Sequence, residues 1–187
     1  MRGDKPSAAV LSYRAILLDA LRCAVPGAHP TLLTASSYEG DVPGFIALSN
    51  GEPVPLETAS GDQLSFRLSQ DYRISIDPSA HRSERYSVGI TKYIYAIRDS
   101  DVGDPLLEIH WHPEVEGVTH PHLHVRRARA IHPAFGRAHI PSGLVTLERV
   151  LQLLIRDFEV VPARPDWTAV LERTRQIAAP AYESVRG

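Results

Sequence analysis

Two short stretches of this chain sort their side chains by parity. In Leu107–His112 the odd positions Leu107, Ile109 and Trp111 are apolar, and the even positions are Glu108, His110 and His112. The same parity recurs in His120–Arg126. Pro121, Leu123 and Val125 are apolar there, while His120, His122, His124 and Arg126 share the other side. Successive side chains of a strand point to opposite faces, so each stretch is expected to be a strand with one apolar face and one imidazole face. Joined across residues 113–119 they form a hairpin. Its apolar faces merge only if paired residue numbers sum to an even value, because a one-residue slip would bury histidine against the core. One allowed register sets His112 opposite His120, His110 opposite His122 and Glu108 opposite His124. A shift of two residues is equally compatible with the pattern.

The rest of the chain supplies a core for that hairpin. Residues 7–25 read as a helix capped by Ser7, with Val10, Tyr13, Leu17, Ala20, Leu21 and Ala24 as its apolar stripe and Pro26-Gly27 as its stop. Residues 31–60, rich in Gly, Pro and Ser, predict turns and short strands. Alternation over 65–76 and the β-formers of 86–98 predict two longer strands, followed by a turn over Asp99–Pro105. Thr146 caps a helix carrying Leu147, Val150, Leu151, Leu154, Ile155 and Phe158, and Asp166 caps another carrying Val170, Leu171, Thr174 and Ile177, stopped at Pro180. The expected fold is α+β in one domain over 1–187: a helix at 7–25, a mainly antiparallel sheet over 31–126 and helices over 146–184.

Composition narrows the surroundings. The formal net charge is −2, so no global field draws the chain to nucleic acid. Locally, Arg126, Arg127, Arg129 and Arg137 follow the histidines directly, and Lys5 and Lys92 are the only lysines. No apolar run approaches the ~18 residues of a membrane span, and residues 1–6 carry no apolar leader. The single cysteine, Cys23, suits a reducing cytoplasm and is expected to be a buried, inert thiol.

Seven of the nine histidines fall between His110 and His139. Imidazole both ligates metals and exchanges protons near neutrality. Glu108 is placed to orient His124, and Arg126 to hold an anion. The strand over 86–98 brings either Tyr93 and Tyr95 or Lys92 over the same face, and its parity leaves both open. His132 and His139 read as surface or turn residues, with His139 keeping a claim on the site because His139-Ile-Pro-Ser-Gly143 returns the chain just before a helix, and His29 and His81 read as structural ones.

Three readings fit, two of them catalytic, beside the nucleotide chemistry that a resemblance below implies. In the first, metal-free hydrolysis or transfer at a phosphate, RNA foremost, uses His122 and His124 as the acid–base pair and Glu108 as orienter. Arg126, Arg127 and Arg129 bind the phosphate, and His110, His112, His120 and Tyr93 complete the catalytic set. In the second, His110, His112, His120 and His122 hold zinc, or two histidines and a carboxylate hold iron. In the third the protein is not catalytic, and the sheet with the Leu147–Phe158 helix forms a surface for a partner. The sequence leaves the oligomeric state open.

Three resemblances bear on the choice. His110-X-His112 followed by Glu116 is similar to the first cupin motif, which implies a metal. His120-Pro-His122-Leu-His124-Val125 resembles the histidine-triad signature, which implies that His122 attacks an α-phosphorus. Across residues 90–158, Tyr93-Ile-Tyr95, His112-Pro113 and His120-Pro121-His122-Leu-His124 ahead of a helix resemble the TumE-type toxins of toxin–antitoxin modules. That likeness implies an intracellular toxin acting on RNA or the translation machinery, restrained by an antitoxin protein, with Tyr93, Tyr95, His112, His120, His122 and His124 as its site.

Overall fold

The computed structural model describes residues 1–36, 43–99, 105–113, 118–126 and 138–186, with residues 184–186 described by backbone alone. Glu116, Arg127, Arg129, His132 and Arg137, and the middle of the turn expected over Asp99–Pro105, lie outside the described residues.

The described residues form an α+β fold with nine strands and three α-helices. The strands are β1 (Arg2–Gly3), β2 (Leu33–Ala35), β3 (Gly44–Leu48), β4 (Val54–Leu56), β5 (Leu64–Ile76), β6 (Tyr86–Asp99), β7 (Pro105–Trp111), β8 (His122–His124) and β9 (Ile140–Pro141). The helices are α1 (Pro6–Leu21), α2 (Leu147–Asp157) and α3 (Trp167–Ala178), followed by a 3-10 segment over Ala179–Arg186. Every pairing is antiparallel, in the order β2-β3-β5-β6-β7-β8-β9, with β1 beside β6 and β4 beside β5.

The helices gather on one face of this sheet. α1 buries Val10, Tyr13, Leu17 and Leu21, and α2 buries Leu147, Val150, Leu151 and Leu154, the positions expected from their 3.6-residue period. Under them, Gln70 of β5 ties three tyrosines together. Tyr13 Oη donates to its Oε1 at 2.8 Å, and its Nε2 donates to Tyr95 and Tyr182 at 2.7 Å each. This buried network joins α1, β5, β6 and the C-terminal segment, and it satisfies polar groups that would otherwise be costly there.

The helix ends differ from the expected caps. Pro6 takes the first helical position, so Ser7 lies inside α1 and caps nothing; the helix ends at Leu21, ahead of Pro26-Gly27. Thr146 has the backbone of a cap without the side-chain bond, and the Asp166 carboxylate is held by Arg164 instead. Ile177, expected on the buried stripe of α3, is exposed. His29 and His81 are structural, their Nδ1 atoms accepting backbone N–H groups of Thr31 and Ser83 at the start of short turns. Cys23 is fully buried, and desolvation raises its thiol to about 11, so it is inert. No helix among the described residues is long and apolar enough to cross a membrane.

One irregularity decides which side chains meet the histidines. Asp71 pairs with Lys92 and Tyr72 with Ile90, so Thr91 is an extra residue on β6. Such a bulge shifts the pleat by one residue. After it, the odd residues Tyr93, Tyr95 and Ile97 face the helices; before it, the even residues Val88 and Ile90 do. The mixed parity of residues 86–98 therefore reflects one strand with two phases.

Candidate metal centre

The hairpin adopts one of the registers allowed by parity. Glu108 pairs with His124, Ile109 with Leu123 and His110 with His122. Trp111 Nε1 donates to the Thr119 carbonyl at 3.0 Å, which closes the hairpin from the apolar side. Ile109 and Trp111 are buried beneath Tyr93 and Tyr95, on the helix side of the sheet. The imidazoles consequently emerge on the side away from the helices.

On that side six rings pack against one another, with His122 at the centre. Its ring centroid lies 4.2 Å from His110, 4.9 Å from His139, 5.1 Å from His124, 5.3 Å from His112 and 6.1 Å from His120. His110, His122 and His124 are buried, whereas His120 and His139 are exposed. Two triads each bring one ligand nitrogen per residue within 4.8 Å of the others: His110, His112, His122 and His122, His124, His139.

The hydrogen bonding of these rings is incomplete. His122 Nδ1 lies 2.9 Å from the His120 carbonyl. A carbonyl only accepts, so Nδ1 carries the proton and Nε2 keeps its lone pair. That Nε2, His110 Nε2, His112 Nδ1 and His124 Nδ1 are all buried without a hydrogen-bond partner among the described residues. Burial lowers the basicity of three rings. His110 falls to about 3, through desolvation first and then its neighbours His122, His112, His124 and Arg126. His124 falls to about 4, through desolvation and Arg126, with Glu108 opposing weakly. His122 is lowered by desolvation, against the pull of the His120 carbonyl.

Several expected residues occupy other places. Tyr93 is not part of the site: the Thr91 bulge turns it to the helix side, where it stacks on Tyr95, accepts the Val145 N–H at 3.3 Å and is raised to about 12 by burial. Tyr95 belongs to the Gln70 network, so of the two expected alternatives Lys92 is on the imidazole face, in line with Ile94 beside His110 and Ala96 beside Glu108. Glu108 sits opposite His124 as expected, but its carboxylate meets Arg126, 3.3 Å from Nη2, rather than the ring. Arg126 is correspondingly engaged with Glu108. His120 is outside both triads, because β8 begins at His122 and only the His120 carbonyl turns inward.

His139 is the residue whose place the sequence concealed. β9 pairs His122 with Pro141 and Leu123 with Ile140, and one further step sets His139 against His124, where the centroids are 4.6 Å apart. The alternation His139-Ile140-Pro141 is the only local signal, and two residues of strand are too few to read from periodicity. No protein-family profile matches this chain, and no curated protein or solved structure is similar to it.

Proposed function

We propose that this protein is a metal-dependent hydrolase whose divalent transition ion, zinc foremost, is held by His110, His112 and His122. The carrying observation is the set of four buried, unpartnered ring nitrogens, three of which belong to that triad. An unsatisfied buried polar atom costs about 1–3 kcal/mol, so four of them cost on the order of 4–12 kcal/mol, comparable with the whole stability of an ordinary domain. Imidazoles arranged so expensively are explained by a ligand that accepts their lone pairs.

The geometry suits a small ion. Two nitrogens bound to zinc at about 2.0–2.1 Å and a tetrahedral angle lie about 3.4 Å apart. The ligand nitrogens of each triad all lie within 4.8 Å of one another, close to that spacing. The His120 carbonyl holds the His122 ring by its Nδ1–H and presents Nε2, the outer-sphere contact that orients metal-binding histidines generally. His110, His112 and His122 would hold such an ion with three imidazoles, and it would supply Lewis acidity and an activated water for hydrolysis. Acid–base cleavage of a phosphate by His122 and His124 needs one ring protonated near neutrality. The lowered basicity of both favours ligation over that role.

The test is elemental analysis of protein purified without an affinity tag and dialysed against zinc. One equivalent per chain is expected, with a large loss in His110→Ala and in His112→Ala. Wild-type protein that retains no zinc, iron, cobalt or nickel overturns the reading.

A further inference from the structure

Beside His112 the sheet opens into a cavity of about 220 Å³, lined by Asp71, Arg73, Thr91 and Lys92 and bounded by Pro113. The β6 bulge builds it. In an unbroken strand Thr91 and Lys92 would point to opposite faces, whereas both line this cavity. The register of β6 and β7 pairs Tyr93 with Trp111 and Ile94 with His110, so one more step places Lys92 across from His112. Asp71 and Arg73 stand two residues apart on β5 and share the cavity wall.

Its charge is unbalanced. Lys92 Nζ lies 3.6 Å from the Asp71 carboxylate, which offsets one cation. Arg73 makes no hydrogen bond or ion pair among the described residues. A guanidinium presents a planar fork of donors that matches a carboxylate or phosphate, and an ammonium beside it adds a point charge. The volume lies below the range of about 300–1,000 Å³ usual for drug-sized ligands, which limits the occupant to a small molecule.

We propose that this cavity binds the anionic group of a small substrate, a carboxylate or a phosphate ester, through Arg73 and Lys92 with the Thr91 hydroxyl as a further donor. The scissile part of that substrate then lies at His112. Only this last placement rests on the metal-centre reading; the anion site is read from the cavity itself.

The experiment titrates inorganic phosphate and acetate into zinc-dialysed full-length protein by calorimetry at low salt, with zinc content measured on the same samples. Wild type is expected to bind at least one of the two anions. Arg73→Gln removes an exposed charge and Lys92→Gln a partly exposed one, and each is expected to weaken binding about fivefold without changing zinc content. Preference for phosphate names a phosphate ester and preference for acetate a carboxylate; either supports the site. Retained zinc with no anion affinity, or equal affinity in wild type and variants, overturns it and leaves the metal centre standing. Anion binding that depends on Arg73 in protein lacking zinc supports the cavity and sinks the metal centre instead.

Discussion

Replacing His122 by leucine is expected to change stability in opposite directions with and without metal. The ring is fully buried and shared by both triads, so no alternative set of three survives its loss among the described residues. In metal-free protein the substitution removes an unpartnered Nε2, worth about 1–3 kcal/mol of penalty, and gives up one neutral hydrogen bond worth about 1 kcal/mol. The metal-free variant should therefore melt at the wild-type temperature or up to about 5 °C above it. Zinc at about a thousand times its dissociation constant stabilises wild type by about 4 kcal/mol. With an unfolding entropy of about 2.1 cal/mol/K per residue over this chain, that is a rise of about 10 °C. The variant should show almost none of it. Thermal scans with zinc and with chelator, followed by far-ultraviolet dichroism, decide the matter. An equal rise in both proteins would place the ion elsewhere. A metal-free variant melting far below metal-free wild type would show that the ring is a packing element, and the account of its orphaned nitrogen would fail.

Three further outcomes are expected. His139→Ala should keep zinc stoichiometry intact, because the triad of His110, His112 and His122 does not use it; loss of zinc there would move the ion to the outer triad. Metal-free protein should lose stability as pH falls. The unfolded chain takes up protons below about 6.5, while His110 and His124 resist down to about 3 and 4, so stability is full above pH 6.5 and declines below it. The slope is up to about 1.4 kcal/mol per pH unit for each ring, and urea midpoints that stay level between about pH 7 and 4.5 would refute the burial of neutral imidazole. Glu148 is fully buried in the first turn of α2, neither carboxylate oxygen has a close hydrogen-bond partner among the described residues, and desolvation raises its pKa against the opposing pull of its own backbone N–H, Thr146 and Arg175. A raised carboxyl costs stability once pH passes its unfolded value near 4.5, so Glu148→Met should stabilise the protein at pH 7 by about 1–2 kcal/mol; a lower urea midpoint would count against this.

Much of the hairpin was legible because parity is a strong constraint. Ile109, Trp111 and Leu123 cannot share a core unless His110 and His122 share the opposite face, and the observed register follows that rule. Helix positions such as Val150, Leu151 and Leu154 were legible for the same reason, with a period of 3.6 in place of 2. What was hidden depended on tertiary detail. Tyr93 was expected beside the imidazoles because nothing in the order of residues announces an extra one at Thr91. His139 reaches the cluster through a two-residue strand whose partner is distant in sequence. Glu108 prefers a guanidinium to the ring across from it, a competition settled by reach rather than by register.

The extra residue at Thr91 has a consequence for how this chain can change. Remove it, and β6 becomes a regular ribbon in which Val88, Ile90, Tyr93 and Tyr95 alternate toward the helices without interruption. The loss is then confined to the cavity wall, where Thr91 no longer stands beside Lys92. A deletion of one codon at this spot would thus be absorbed by the sheet, whereas deletion of a paired residue such as Ile94 would turn every side chain beyond it to the opposite face.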